Sequence, residues 1–321
     1  MIFILPRHAR YMTSKIAALL LLGALAASAE TILVHGHRGG RATRPENTLP
    51  AFEYAIEHGA DVLELDLAVT KDNVLVVSHS PYLTQRSSDD PRMAAVLANE
   101  RTCVGPALPA GTLIRSLTLT QLKQYDCGAE VLSAFPKQMA VPGTKIPTFD
   151  EVLDLAPRGN FGFNVETKIF INHPEITPSP EIFVKMIDDA VKRHHLESRV
   201  ILQSFDFRTL HAMKTLDPAI RLSALFGQAK YDVMMGITDS DKSFVHIAKV
   251  SGADILSPDE SLVTVAQVAA AHAAGLQVAP YTVNTVEGWK KMADAHVDAI
   301  ITDDPAALLQ WLRTQAPQLH P

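Results

Sequence analysis

Nine short apolar runs recur along the chain, at 31–36, 62–67, 74–79, 161–167, 200–205, 220–226, 253–257, 276–283 and 298–302. Between most of them lie stretches with helical spacing, at 48–58, 148–155, 181–195, 207–216, 262–274, 286–295 and 305–313. Strands joined through helices return to the same end of a sheet, so they pair in parallel. This many parallel strands favour closure, and the expected fold is an α/β barrel of the TIM (β/α)8 type. With one candidate beyond the barrel's eight, one run is expected to be a short accessory strand.

Two stretches break the alternation. Only Ala68 to Asn73 separates the second run from the third, too few residues for a crossover helix, and Thr70-Lys71-Asp72-Asn73 has turn chemistry. A hairpin and an extended connection both fit. The second break is a Pro-, Ser- and Asp-rich segment at about 81–146. It follows the third run and is expected to be an insertion on the barrel face that carries the site. Within it, Ser116 to Leu122 has the pattern of a capped short helix. The only two cysteines, Cys103 and Cys127, fall in this segment. In an oxidising compartment they are expected to form one disulfide, and two free thiols are the alternative.

The first 29 residues are expected to lie outside the fold. Arg7, Arg10 and Lys15 precede the apolar run Ile16–Ala27, and Ala27-Ser28-Ala29 has the small-residue pattern of a signal cleavage site. An uncleaved anchor is the alternative. Without this leader, 26 basic residues face 35 acidic ones, a net charge of −9. So acidic a chain has no general attraction to nucleic acid or anionic lipid. No later stretch is apolar and long enough to span a bilayer. The domain at 30–321 is therefore expected to be exported, periplasmic or secreted, without stable membrane insertion.

Polar residues at the ends of the apolar runs point to chemistry. Thr31-Ile32-Leu33-Val34 leads into His35-Gly36-His37-Arg38-Gly39-Gly40. Glu64 and Asp66 interrupt the second run, and His79 ends the third. Two residues apart on a strand, Glu64 and Asp66 point the same way, into the barrel, where an uncompensated carboxylate pair is costly. A hard cation, Ca²⁺ or Mg²⁺, would resolve the conflict, and the alternative is neutralisation by Arg and Lys alone. Asn164, Glu166 and Lys168 repeat the arrangement on a later strand. His37 and His79 are candidates for general acid–base catalysis, since imidazole titrates near neutral pH. Arg38 offers a planar donor fork for phosphate, whereas His35 is expected to be structural. No P-loop or dinucleotide glycine pattern is present.

These residues also carry a resemblance. His37-Arg38-Gly39, Pro45-Glu46-Asn47-Thr48, Glu64-Leu65-Asp66, Thr70-Lys71-Asp72, His79, Glu166-Thr167-Lys168, Ser204-Phe205 and Ile301-Thr302-Asp303-Asp304-Pro305 together resemble the glycerophosphodiester phosphodiesterase family. The resemblance runs in order from about 31 to 310. It implies a TIM barrel with an insertion after the strand that ends in the second histidine. It also implies a divalent cation on Glu64, Asp66 and Glu166, catalysis by His37 and His79, and phosphate contacts from Arg38 and Lys168. Tyr281-Thr282-Val283-Asn284 is similar to a pocket segment that usually begins with Trp. The second histidine is usually followed by Asp, where this chain has Ser80.

The expected activity is metal-assisted hydrolysis of a glycerophosphodiester to glycerol 3-phosphate and an alcohol, with His79 as first base and His37 as acid. Pro45 to Thr48 is expected to shape and cap the next helix, with Glu46 either supporting its neighbours or touching substrate. One alternative is a phospholipase D-like attack on intact or lyso-phospholipids, which predicts an apolar rim. The insertion's Met93, Val96 and Leu97 are few for that purpose. Another is a non-catalytic envelope binding protein, which predicts loss of an acid–base or metal residue.

Overall fold

Val62 to Val69 is buried along its whole length and forms β2, the strand around which the rest is arranged. The computed structural model describes residues 31–84, 100–170, 173–227, 241 and 243–315. The leader and Met93, Val96 and Leu97 lie outside the described residues. The remaining strands are β1 (Leu33–Gly36), β3 (Leu75–Val77), β4 (Gly162–Thr167), β5 (Val200–Ser204), β6 (Arg221–Phe226), β7 (Ile255–Pro258), β8 (Gln277–Val278) and β9 (Ala299–Thr302). All but β3 are joined in parallel, in the order β8-β7-β6-β5-β4-β2-β1-β9. Backbone bonds from Asp298 to Val278 and from Ile301 to Pro280, each 3.0 Å, close β9 onto the β8 end. The result is an eight-strand parallel barrel.

The accessory strand is β3, and the short link before it is a hairpin. Thr70 N donates to Val74 O at 3.0 Å, and β3 runs antiparallel to β2 with Leu67 opposite Val77. Asn73 takes a left-handed φ of 59°, a conformation asparagine tolerates well. The hairpin matters for function, because it turns the chain back so that Ser78 N reaches Asp66 O at 2.9 Å. His79 follows immediately.

Helices cover the barrel's outer face: α1 (Leu49–His58), then beyond the insertion α3 (Phe149–Leu153), α4 (Pro180–Arg193), α5 (Phe207–Leu216), α6 (Phe244–Ser251), α7 (Val265–Ala273), α8 (Val286–Asp294) and α9 (Pro305–Gln315). The main apolar core lies between these helices and the outward side chains of the strands, such as Leu63, Leu65, Phe163, Leu202 and Ile300. Thr48 caps α1 by accepting from Ala51 N, and Gly59 ends it at a φ of 89°. Sequence reading left 227–252 without an element, yet α6 lies there. Its Ser243 cap, its Gly252 terminator and the buried Phe244, Ile247, Ala248 and Ser251 make an ordinary short amphipathic helix. The run at 276–283 is shorter as a strand than expected, because only Gln277 and Val278 pair in a ladder with β7.

The segment after β3 builds a small core of its own. Leu83, Ile114, Leu117, Leu122, Tyr125, Cys127 and Ile146 pack on Ala68 of β2 and Val76 of β3. The expected short helix is α2 (Leu119–Leu122), with a capping box between Thr118 and Gln121. Cys103 and Cys127 are joined by a disulfide. The segment also leans on the loop after β1, since Gln138 Nε2 donates to Arg41 O at 2.7 Å. None of the described helices is long and apolar enough to cross a membrane.

Candidate active site

Each barrel strand sends every second side chain inward. At one level these are the small apolar groups Ile255, Ala279 and Ala299, packed with Ile201. Next along the strands the interior turns polar: Asn164 Nδ2 donates to Gln203 Oε1 at 2.8 Å, and Gln203 Nε2 donates to Glu64 Oε1 at 2.7 Å. Asn164 Nδ2 also lies 3.4 Å from His35 Nδ1, and burial pushes that imidazole down to about 3. His35 is thus a neutral structural residue, as expected.

Beyond this layer, toward the C-terminal ends of the strands, opens a cleft of about 170 Å³. Its lining includes His37, Arg38, Glu64, His79, Glu166 and Lys168, together with Phe205, Leu225, Tyr281 and Ile301. Seven of the positions singled out in the sequence, Tyr281 among them, therefore share one cavity, at the barrel end where loops carry chemistry. Tyr281 stands edge-on to Phe205 with ring centroids 5.7 Å apart.

The turn after β1 sets the first histidine. His37 N donates to Thr302 O of β9 at 2.8 Å, and Arg38 then adopts a left-handed φ of 50°. That uncommon geometry aims Arg38 N at Glu64 Oε2, 2.8 Å away. Gly39 follows with a φ of 85°, and a Cβ there would lie 2.6 Å from the carbonyl carbon of Ala51 in α1. No other residue fits that approach.

His37 Nδ1 lies 2.5 Å from Asp303 Oδ1, and Asp303 Oδ2 accepts from Asn284 Nδ2 at 2.8 Å. This network assigns the His37 proton to Nδ1 and leaves Nε2 facing Glu64, 4.0 Å away. Burial lowers His37 below its ordinary value, with Asp303 opposing the shift. Burial and Arg38 lower His79 much further. Burial thus favours the neutral form of both rings.

The carboxylates form a tight group. Asp66 lies opposite Glu166 in the β2–β4 register, and one oxygen from each of Glu64, Asp66 and Glu166 falls within 4.8 Å of the others. Lys168 Nζ stands 3.0 Å from Asp66 Oδ1 and 2.7 Å from Glu166 Oε1. Burial disfavours ionised Asp66, but Lys168 and Arg38 hold its carboxyl well below the usual range. Glu64 carries the cost instead: burial and its two acidic neighbours push it well above the usual range. Asp66 Oδ1 is buried and makes no aligned hydrogen bond despite Lys168 beside it. Oxygen-only donors, an undercompensated Glu64 and an Asp66 oxygen without an aligned hydrogen bond fit a hard divalent cation.

Of the two readings of Glu46, the geometry favours support of its neighbours. Glu46 does not line the cleft but lies behind Arg38, taking both its oxygens to Arg38 Nη1 at 3.0 Å and one to Arg41 Nη2 at 2.7 Å. Burial opposes its ionisation, but Arg38, Arg41 and Arg101 lower it below the ordinary value. Asn47 fastens the same loop by donating from Nδ2 to Asp66 Oδ2 at 2.8 Å. Asp303, Asn284, Gln203 and Arg101 received no role from the sequence. Asp303 was within reach of the argument used for His37, because it is a polar residue just past an apolar strand. Arg101 carried no such signal.

A parallel barrel with two imidazoles, three clustered carboxylates and flanking cations at its C-terminal rim is an enzyme site suited to an anionic ester. A model of the "Glycerophosphoryl diester phosphodiesterase family" matches residues 37–307, from the first cleft histidine to beyond Asp303. The chain belongs to this family and is a phosphoric diester hydrolase. It is 31% identical over 281 residues to a glycerophosphodiester phosphodiesterase of Caldanaerobacter subterraneus, covering 88% of this chain and 98% of that one. The crystal structure of a Silicibacter pomeroyi protein of the same description superposes with a TM-score of 0.75 at 27% identity, over 89% of this chain and 94% of that one. An Oleispira antarctica phosphodiesterase, solved with its product sn-glycerol-3-phosphate, shares the fold with a TM-score of 0.66 at 22% identity, over 88% and 97% of the two chains.

Proposed function

We propose that the protein hydrolyses glycerophosphodiesters to glycerol 3-phosphate and a free alcohol, with His37 and His79 moving the protons and Glu64, Asp66 and Glu166 holding a divalent cation. The observation that carries this reading is the meeting of two imidazoles from different strands in one cleft beside the three carboxylates. The product bound in the Oleispira antarctica enzyme supports the choice of ester.

The balance of charge supports a cation. Glu46, Glu64, Asp66, Glu100, Glu166 and Asp303 face Arg38, Arg41, Arg101 and Lys168, six carboxylates against four cations. A divalent ion offsets that excess of negative charge and makes room for an anionic ester. Bound there, Ca²⁺ or Mg²⁺ supplies positive charge to a phosphate oxygen. Arg38, whose Nε lies 3.4 Å from Asp66 Oδ2 without making a hydrogen bond, and Lys168 offset charge that grows on the phosphoryl oxygens. One imidazole takes the proton of the nucleophile, and the other, entering the reaction protonated beside the anionic phosphate, gives its proton to the departing alcohol oxygen. Phe205, Leu225 and Tyr281 offer apolar surface to the alcohol. The leader pattern and the disulfide support export to an oxidising compartment, the periplasm or beyond.

The test uses protein lacking residues 1–29, glycerophosphocholine and added Ca²⁺ or Mg²⁺, with choline and glycerol 3-phosphate both measured. Turnover is expected. Its absence with every headgroup and metal would refute the reading, and preferential cleavage of lysophospholipid micelles would shift the substrate class. Glu64→Ala should abolish calorimetric cation binding along with turnover.

A further inference from the structure

Asp303 orients His37, but among the described residues nothing within hydrogen-bonding distance does the same for His79. His79 Nδ1 is buried and has no hydrogen-bond partner among the described residues. The ring still lines the cleft, so the edge open to substrate is the one bearing Nε2. The adjacent residue offers no carboxylate. Ser80 Oγ accepts from Tyr82 N at 3.2 Å, and Ser80 O accepts from Ser78 Oγ at 2.9 Å.

An acid does stand behind the ring. Glu100 Oε1 lies 3.9 Å from His79 Nδ1, and both side chains are largely sheltered. Hydrogen-bond contact needs a closure of only about 1 Å. Catalytic hydrogen bonds are commonly long without substrate and tighten when it binds.

The segment that carries Glu100 is held at the site. Its neighbour Arg101 donates through Nη1 to Glu46 O at 3.0 Å and through Nη2 to Ser78 Oγ at 3.5 Å. Two residues further on, Cys103 is tied to Cys127, and Val104 exchanges a pair of 2.7 Å backbone bonds with Asp126. Glu100 is therefore placed by the insertion and not by any barrel strand.

We propose that Glu100 is the positioning residue for His79, accepting its Nδ1–H so that Nε2 is presented to the cleft, and that the disulfide-tied insertion thereby completes the catalytic pair. His79–Glu100 then parallels His37–Asp303, with one acid from the barrel and the other from the insertion. The role is indirect: Glu100 touches neither substrate nor cation, and it fixes the tautomer and steadies the ring when it takes up a proton. This inference rests on the proposed two-histidine reaction.

The test compares wild type with Glu100→Gln by NMR of ¹⁵N-labelled histidine, with the His79 signals identified from their loss in His79→Gln. In wild type His79 should be the Nδ1–H tautomer. Glu100→Gln should move it toward a tautomer mixture while lowering kcat about tenfold to a hundredfold and leaving KM within about threefold. The disulfide-free pair Cys103→Ser/Cys127→Ser should reproduce the tautomer change in part. An unchanged His79 tautomer in Glu100→Gln would overturn the proposal. If wild type turns over no phosphodiester, the reaction reading fails, while the spectra still decide whether Glu100 holds His79.

Discussion

Acidification should weaken the barrel through His35, a residue far from exposure and without any part in the proposed chemistry. Burial holds its imidazole at about 3, against an ordinary 6.5. Between these values the unfolded chain binds a proton that the folded barrel refuses, so stability falls as pH drops. The loss begins near pH 6.5 and levels off below about 3, amounting to about 2 kcal/mol at pH 5 and about 3 kcal/mol at pH 4. His35→Gln keeps a polar side chain beside Asn164 but cannot ionise. Urea unfolding of both proteins at pH 7, 5.5, 5 and 4 isolates the effect, because the other titrating groups are common to both. The variant should start less stable than wild type, and the gap should shrink by about 2 kcal/mol between pH 7 and pH 5. A gap that does not change with pH would refute the assignment of a neutral, desolvated His35.

Other outcomes bear on the site. Asp303→Asn removes the charge on His37 Nδ1 and should lower kcat about a hundredfold or more with little change in KM, whereas a drop below threefold would make the 2.5 Å contact incidental. His37→Ala and His79→Ala should each cost about 10² to 10⁴ in kcat with a choline leaving group. If His37 is the acid, its variant should recover on a p-nitrophenol ester while His79→Ala does not, and equal losses on both esters would reject that order. Cys103→Ser opens a loop with a sequence separation of 24 and should destabilise by about 3 kcal/mol, seen as early proteolysis of the insertion. Unchanged protease resistance would show that the insertion's own core holds it.

Much of the candidate site was legible because its residues violate a strand pattern. An acid or imidazole inside an apolar run has to be paired, and Glu64, Asp66, Glu166, His37 and His79 each announced themselves in that way. The period of two also placed Glu64 with Asp66, and Asn164 with Glu166, on common faces. For Glu46 the sequence left open a supporting role and a contact with substrate. Its proximity to Arg38 in the chain says nothing about which side of the guanidinium it occupies, and its burial among Arg38, Arg41 and Arg101 favours the supporting role. The helix α6 was missed although its cap and terminator are present, because at eight residues it is too short to show a clear helical period.

By itself the sequence determined the alternating strands and helices, the inward acids and the two histidines, since each depends on local periodicity and on the cost of burying polar groups. The tertiary structure alone decided how β3 turns, and so brought His79 over Asp66. It alone brought Asp303 to His37 across a separation of 266 residues, and Glu100 to the far edge of His79. Such contacts depend on barrel closure and on where an insertion folds back, and residue spacing along a chain carries no trace of either.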